Sequence, residues 1–376
     1  MCSFRLNDPY AENNAERVKR LYNLAVVTKE AIEMLEIDCS RGEGGGQAVR
    51  TSVAMAAITG KATHLTRIRE NRPTQGLSKQ HCTAVNAVSQ MTGATIIGNS
   101  LGSQDLTVLP GDEKEYDIVM DVGSAGSVTL VLQAMMLASK NHDRRVRMDI
   151  MGGTNVMWAP PIDSYRHVLF PLMKRMGIDA ELEIVQRGLY PEGGGRVILN
   201  MDPIKNIRPL FIEEMGELKK IRGTCFVQNL PGWIVDQMIE GCMSAMGDMY
   251  VDLEIERIDE GISRGAGMTL AAEYENGMIG SNVLTSKSHP AKQAGIDVAN
   301  DLLKIMESGS TMDVHTADQL LPYMAMADGD SAFSVSRISR HLLSQMDTLE
   351  TFLDVKFGVE RRDDLYHISV TPGGGA

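Results

Sequence analysis

The chain has 376 residues, enough for two or three domains, and 43% of them are hydrophobic, as in an ordinary globular protein. A formal net charge of −12 argues against broad nonspecific nucleic-acid binding, though a local basic cleft is compatible with it. The five cysteines (Cys2, Cys39, Cys82, Cys225 and Cys242) form no CxxC pair, which speaks against a disulfide framework or a zinc site and for a reducing compartment.

Residues 1–33 read as an N-terminal extension. "AENNAERVKRLYNLAVVTKEAIEM" can form a helix but carries no glycine turn chemistry, and Met34 is the natural start of the folded core. The start of the chain is polar and shows no signal peptide, and no apolar run approaches the ~20 residues of a membrane span. A cytoplasmic protein with no membrane contact is expected.

Next, "MLEIDCSRGEGGG" predicts a short strand running into a glycine turn that holds Glu43. Glycines let the backbone approach a ligand closely, and a carboxylate there suits a divalent metal arriving with a phosphate. The same stretch can also be a plain strand-to-helix turn. Residues 47–58 predict a helix ending near Gly60, and it carries Arg50. "ATHLTRI" predicts a strand whose alternation puts Arg67 and Arg69 on one face, with Arg72 in the next loop and Lys79 and His81 beyond. Guanidinium groups match phosphate oxygens in bidentate fashion, so this cluster is either a phosphate clamp or a solvated basic face. A helix over 78–92, a strand near 94–97 and another in "DLTVLPG" follow.

The pattern then echoes itself roughly eighty residues later: "YDIVMDVGSAGSVTLVLQAMMLAS" is again strand, glycine turn, helix. "RRVRMDIMGGT" and "DSYRHVLFPLMKRMG" add a strand and a helix. "LEIVQRGLYPEGGGRVILNMDP" reads as two strands opening a third round. Residues 203–311 interrupt that round with their own order: strands at 207–213 and 222–227, a helix near 233–247, strands at 250–255 and 267–273, and a helix at 290–307. The third unit resumes at "DVHTADQLLPYMAMADG". The fold class is therefore α/β layers, with 34–202 and 312–376 forming a large domain and 203–311 an inserted smaller one. Two histidines stand out, His315 with Asp318 and Gln319 one turn on, and His341 beside Arg337 and Arg340; each is either a packed or surface helix residue or, for His341, a nucleophile if a phosphate docks beside the arginines.

Taken together, "EIDCSRGEGGGQAVRTS", "RIRENRPTQGLSKQH", "LGSQDLTVLPG", "VGSAGSVTLVLQ", "GGTNVMWAPPID", "RGLYPEGGGRV", "HTADQLLPYMAMADG" and "HLLSQ" resemble, in order, the RNA 3′-terminal phosphate cyclase family, over about 34–370. The resemblance implies three repeated units, each of two helices on a four-stranded sheet, with a smaller α/β domain inserted in the third. It implies ATP-dependent conversion of an RNA 3′-phosphate to a 2′,3′-cyclic phosphodiester through a histidine–AMP intermediate and an RNA-adenylate. By the same resemblance His341 is the nucleophile and Glu43 the ligand of Mg²⁺ or Mn²⁺. Arg50, Arg69 and Arg72 handle phosphates, and Gln104 with His315, Thr316, Ala317, Asp318 and Gln319 binds ATP. The partner is an RNA 3′-phosphate end; the sequence leaves monomer or homodimer open. His315 stands where bacterial members often place an aromatic against adenine, and Leu137 replaces a proline on the other side of that base.

Two other readings compete. One is a catalytically inactive cyclase-like RNA-binding protein acting in ribosome or RNA biogenesis, which would have no need of His341. The other is an enolpyruvyl transferase, which would need neither that histidine nor "RGLYPEGGG".

Overall fold

The computed structural model describes residues 33–373, so the helix expected within 1–33 falls, but for Glu33, outside the described residues. The chain enters on β1 (Leu35–Asp38), turns through the glycine loop into α1 (Gly46–Thr59) and runs on through β2 (Thr63–Thr66). Gly60 ends α1 in the left-handed region, at φ +70°. Then come α2 (Lys79–Thr92), β3 (Thr95–Ile97) and β4 (Leu106–Leu109). Ser78 and His81 close a reciprocal cap on α2, and Gly93 ends it at φ +66°. These strands make a sheet of order β1-β2-β4-β3, with β1 and β2 parallel and the other pairs antiparallel.

A second sheet, of order β5-β6-β8-β7, combines β5 (Asp117–Asp121), β6 (Val146–Gly152), β7 (Ala180–Gln186) and β8 (Gly195–Met201). Its helices are α3 (Val128–Ala138) and α4, which starts at Ile162–Ser164, widens into a π turn at Tyr165–Leu169 and continues as Phe170–Arg175. Pro171 has no N–H to give the helical ladder, and the Phe170 N–H reaches back five residues to the Tyr165 carbonyl. The two strands expected to open a third round thus complete the second sheet. β8 pairs antiparallel with β6 from Val146↔Met201 to Gly152↔Gly195. Alternation marks a strand's two faces and says nothing about which distant strand lies beside it.

The third sheet, β13-β15-β14, is built from β13 (Ser331–Val335), β14 (Val355–Arg362) and β15 (Leu365–Pro372), with α7 (Val314–Ala325) and α8 (Arg340–Phe352). It has three strands where four were expected. The strand predicted at 207–213 shrinks to one bridge, Phe211↔Ala332, flanked by Ile212 N–H to Ala332 O (2.8 Å) and Ala332 N–H to Leu210 O (3.1 Å). Pro209 removes a ladder donor from that segment.

A fourth sheet, β10-β9-β11-β12, comprises β9 (Leu218–Gln228), β10 (Val251–Ile258), β11 (Gly265–Tyr274) and β12 (Met278–Leu284), with α5 (Trp233–Met246) and α6 (Ala291–Ser308). β12 was not anticipated: "MIGSNVL" is short and lies only a tight turn beyond β11. A separate core that includes Cys225, Met238, Leu270 and Leu302 holds this sheet to its helices, while another core runs through the other three sheets. Arg187, with its side chain 1% exposed, ties the second sheet to β10 by pairing Asp163 (2.7 Å) and Glu256 (2.7 Å). No described helix is long and apolar enough to cross a membrane.

Candidate active site

The glycine loop after β1 does bring chemistry-bearing groups together. Gly42 and Gly44 sit at φ +63° and +64°, which presents the Glu43 peptide to α8. The Glu43 N–H donates to Ser344 Oγ at 2.8 Å. A Cβ on Gly42 would meet that Oγ at 2.1 Å, so this approach needs glycine.

His341 stands one turn before Ser344 on α8, which Ser339 caps by accepting from the Leu342 N–H. Its Nδ1 lies 3.0 Å from the Gln47 amide oxygen and 3.9 Å from Glu43 Oε2. An amide oxygen only accepts, so the Gln47 contact is a hydrogen bond when Nδ1 carries the ring proton, leaving Nε2 with a free lone pair. Burial, then the charges of Arg50 and Arg72 and the neighbouring His315, hold the His341 pKa below the ordinary imidazole range.

Glu43 pairs with Arg72, whose guanidinium also donates to the Glu43 carbonyl. The Glu43 side chain is largely buried, and its Oε2 has no hydrogen-bond partner. An orphaned, buried carboxylate oxygen suits a cation. Among the described residues no group of three or more His, Cys, Asp or Glu could hold one alone.

The other arginines divide. Strand β2 ends at Thr66, so the expected shared face of Arg67 and Arg69 does not form; both adopt φ +52° in the following turn. Arg67 pairs outward with Asp38 and Glu70. Arg69 donates to Gly76 O at 2.8 Å and, with Arg50, faces His81, whose buried imidazole is pushed down to about 3. The His81 ring in turn fills the space beside Gly46, where a Cβ would meet Nε2 at 1.9 Å.

Arg50 reaches inward from α1 to Gln133 Oε1 on α3 (3.1 Å) and leaves its buried Nε without a partner. Beside it a cavity of about 30 Å³ is lined by Gln47, Arg50, Leu137, Asp318, Gln319 and Gln345, among others. Withdrawal from water, then Asp313, pushes the Asp318 carboxyl up to about 8, opposed by Arg50.

The remaining expected nucleotide contacts separate. Asp313 caps α7 by accepting from the His315 and Thr316 N–H groups, and the Thr316 hydroxyl also donates to it. Thr316 and Ala317 are buried and do not line the cavity, while Asp318 and Gln319 do and His315 is exposed. Gln104 is not in the cavity wall; its Nε2 donates to Gln75 Oε1 (3.2 Å), next to the Arg69 loop. Gln47, Ser344 and Gln133 were not singled out from the sequence. Gln47 shares a helix face with Arg50 and Thr51, and Ser344 follows His341 by three residues, a spacing that marks both pairs as neighbours.

Among solved structures, the enolpyruvyl transferase NikO from Streptomyces tendae matches 89% of this chain and 47% of its own at TM-score 0.34 and 10% identity, too distant to bear on fold or chemistry. The sequence relatives are much nearer. The RNA 3′-terminal phosphate cyclase of Nitrosospira multiformis is 38% identical over 90% of this chain and 97% of its own. Those of Methanopyrus kandleri (37%, covering 88% and 97%) and Methanothermobacter thermautotrophicus (38%, covering 87% and 96%) are similar throughout. Residues 41–359 match the family of that description, a span running from the glycine loop past the helix that carries His341. The chain belongs to the RNA 3′-terminal phosphate cyclase family.

Proposed function

We propose that this protein is an ATP-dependent RNA 3′-terminal phosphate cyclase working through a covalent histidine–AMP intermediate. The observation that carries this reading is the His341–Gln47 contact, which supports an unprotonated Nε2 near Arg50, Arg72 and the small recess that Gln47 and Arg50 line. In the first step Nε2 attacks the ATP α-phosphorus, a P–N bond forms and the P–O bond to diphosphate breaks. An oxygen of the RNA 3′-phosphate then attacks the same phosphorus and frees His341. Finally the 2′-hydroxyl attacks the activated 3′-phosphate and expels AMP. Splitting one hard displacement this way lowers each barrier.

Arg50 and Arg72 neutralise phosphate oxygens in each displacement, and Arg69 joins them at the RNA end. Glu43 would hold a divalent ion, Mg²⁺ or Mn²⁺, which supplies charge neutralisation at the phosphates. Asp318, Gln319, Leu137 and the exposed His315 receive the nucleoside, with the His315 ring in the stacking position. Gln104, which stands beside the Arg69 loop through Gln75, contacts ATP in this reading.

We assign the architecture to three repeated units with an inserted α/β domain, supported by the matching strand orders of the first two sheets and by the separate core around β9–β12. Pairing of 210–212 with β13 favours an insertion that starts near Leu218, later than residue 203. The thiols among the described residues are all free, in keeping with a cytoplasmic setting.

The test is incubation with ATP labelled at the α-phosphate and Mg²⁺ or Mn²⁺. Acid-labile label is expected on wild type and on His315→Ala, and none on His341→Ala. Label that persists on His341→Ala would overturn the site assignment; no label on any protein would overturn the nucleotidyl-transfer chemistry.

A further inference from the structure

Around the far end of the second sheet the surface carries large apolar side chains that no core claims. Trp158 is 94% exposed, Tyr190 75%, Ile262 70% and Met157 61%. Trp158 also sits at φ +68°, an unfavourable conformation for a large side chain. A solvated loop gains nothing from holding an indole in water at that cost.

These residues belong to loops that are tied together. The 152–161 and 187–195 loops join through Thr154 N–H to Gly188 O (2.8 Å) and an Asn155↔Leu189 bridge. Beneath them Asn155 Nδ2 donates to Asp163 (2.9 Å), and Asp163 accepts from buried Arg187. Gly194 abuts Ile262, where a Cβ would meet its side chain at 2.5 Å. The exposed rings therefore stand on a rigid base.

The same loops lead to the active site. Gly193 packs on the 123–127 glycine turn, where a Cβ would lie 2.8 Å from Ser124 O. That turn is held by Lys79 Nζ to Gly123 O (3.4 Å) and by Ser127 N–H to Gln80 Oε1 (3.0 Å). Lys79 and Gln80 open α2, and His81 follows them against Gly46, where the glycine loop enters α1. The charged residues of these loops and turns are of both signs, Lys79 and Arg264 against Asp121 and Glu192. Such a surface is no phosphate clamp. Aromatic rings, by contrast, accept any base, because every base has a π face.

We propose that Trp158 and Tyr190 form a stacking platform for single-stranded RNA, which holds nucleotides upstream of the 3′ end while the terminal phosphate sits at His341. The proposal rests on the cyclase reading above. The platform contributes affinity without base identity and acts only on strands long enough to reach it.

Two measurements separate this proposal from the cyclase reading. The first compares KM for a 3′-phosphate dinucleotide and an unstructured 3′-phosphate octanucleotide in wild type, Trp158→Ala/Tyr190→Ala and Trp158→Phe. The double variant should raise the octanucleotide KM about tenfold, leave the dinucleotide KM and labelling by ATP alone unchanged, and Trp158→Phe should restore most of the loss. The second needs no turnover: the chain has two tryptophans, so Trp233→Phe leaves Trp158 as sole reporter, and octanucleotide should quench its fluorescence saturably. Absent quenching, or an octanucleotide KM that does not move or moves together with that of the dinucleotide, overturns the platform and gives the patch to a protein partner. Quenching without any labelling by ATP would keep the platform and sink the cyclase reading.

Discussion

Gln47 and His341, from the first turns of two helices, meet at 3.0 Å through an amide oxygen and an imidazole Nδ1. The contact sets ring orientation and tautomer together, and in the cyclase mechanism proposed above Gln47 would act through His341. Gln47→Leu should lower the rate of self-adenylylation roughly ten- to hundredfold, the range seen when a group orienting a histidine is lost. Thermal unfolding should hardly change. A Gln47→Leu protein that labels at the wild-type rate would show that the ring needs no such orientation.

The acid limb of the pH–rate profile follows from the same ring. In the proposed mechanism attack needs neutral His341, and burial with Arg50 and Arg72 lowers its pKa from the ordinary value near 6.5. The folded pKa is depressed, so the neutral form persists as pH falls through 6.5 and is lost only below that. Adenylylation should hold to a pH lower than a free imidazole would allow. Arg72→Ala removes one of the charges opposing protonation, and its acid limb should shift to higher pH. An unshifted limb would place Arg72 too far away to matter.

Glu43 gives a metal-dependence test. Its Oε2 lacks a partner and lies where a Cβ on Gly45 would come within 1.8 Å. Glu43→Gln should raise the Mg²⁺ concentration needed for half-maximal labelling by at least about tenfold. Gly45→Ala, which forces the carboxylate aside, should do the same with the charge intact. If both variants keep the wild-type Mg²⁺ curve, Glu43 does not hold the ion.

Arg187 tests the join between the second sheet and β10. It is 2% exposed, pairs Asp163 and Glu256, and lies 4.3 Å over the Phe226 ring. Arg187→Met leaves the Asp163 carboxylate buried and unpaired, which should cost ~3–5 kcal/mol in unfolding. A replacement of both, Arg187→Met with Asp163→Leu, should recover much of that. Equal loss in single and double variants would rule out the unpaired charge as the cause.

What was legible in the sequence was local. Gly60 and Gly93 announced helix ends because only glycine enters the left-handed region cheaply there, and both helices stop where expected. The family resemblance placed Glu43, Arg72 and His341 in one site, and the structure brings all three together. Pairing between distant segments was not legible: β7 and β8 look alike whether they finish one sheet or open the next. Nor could the sequence show that Arg67 turns outward while Arg69 turns inward, because both leave strand geometry at Thr66.

Glu43 and Ser344 are 301 positions apart, yet one hydrogen bond sets the glycine loop against the helix that carries His341. Neither half of this contact exists in a fragment that holds only the other. A cut anywhere between the two segments would leave them joined by packing alone, so the two sides of the site stand or fall with the docking of α8 on the loop.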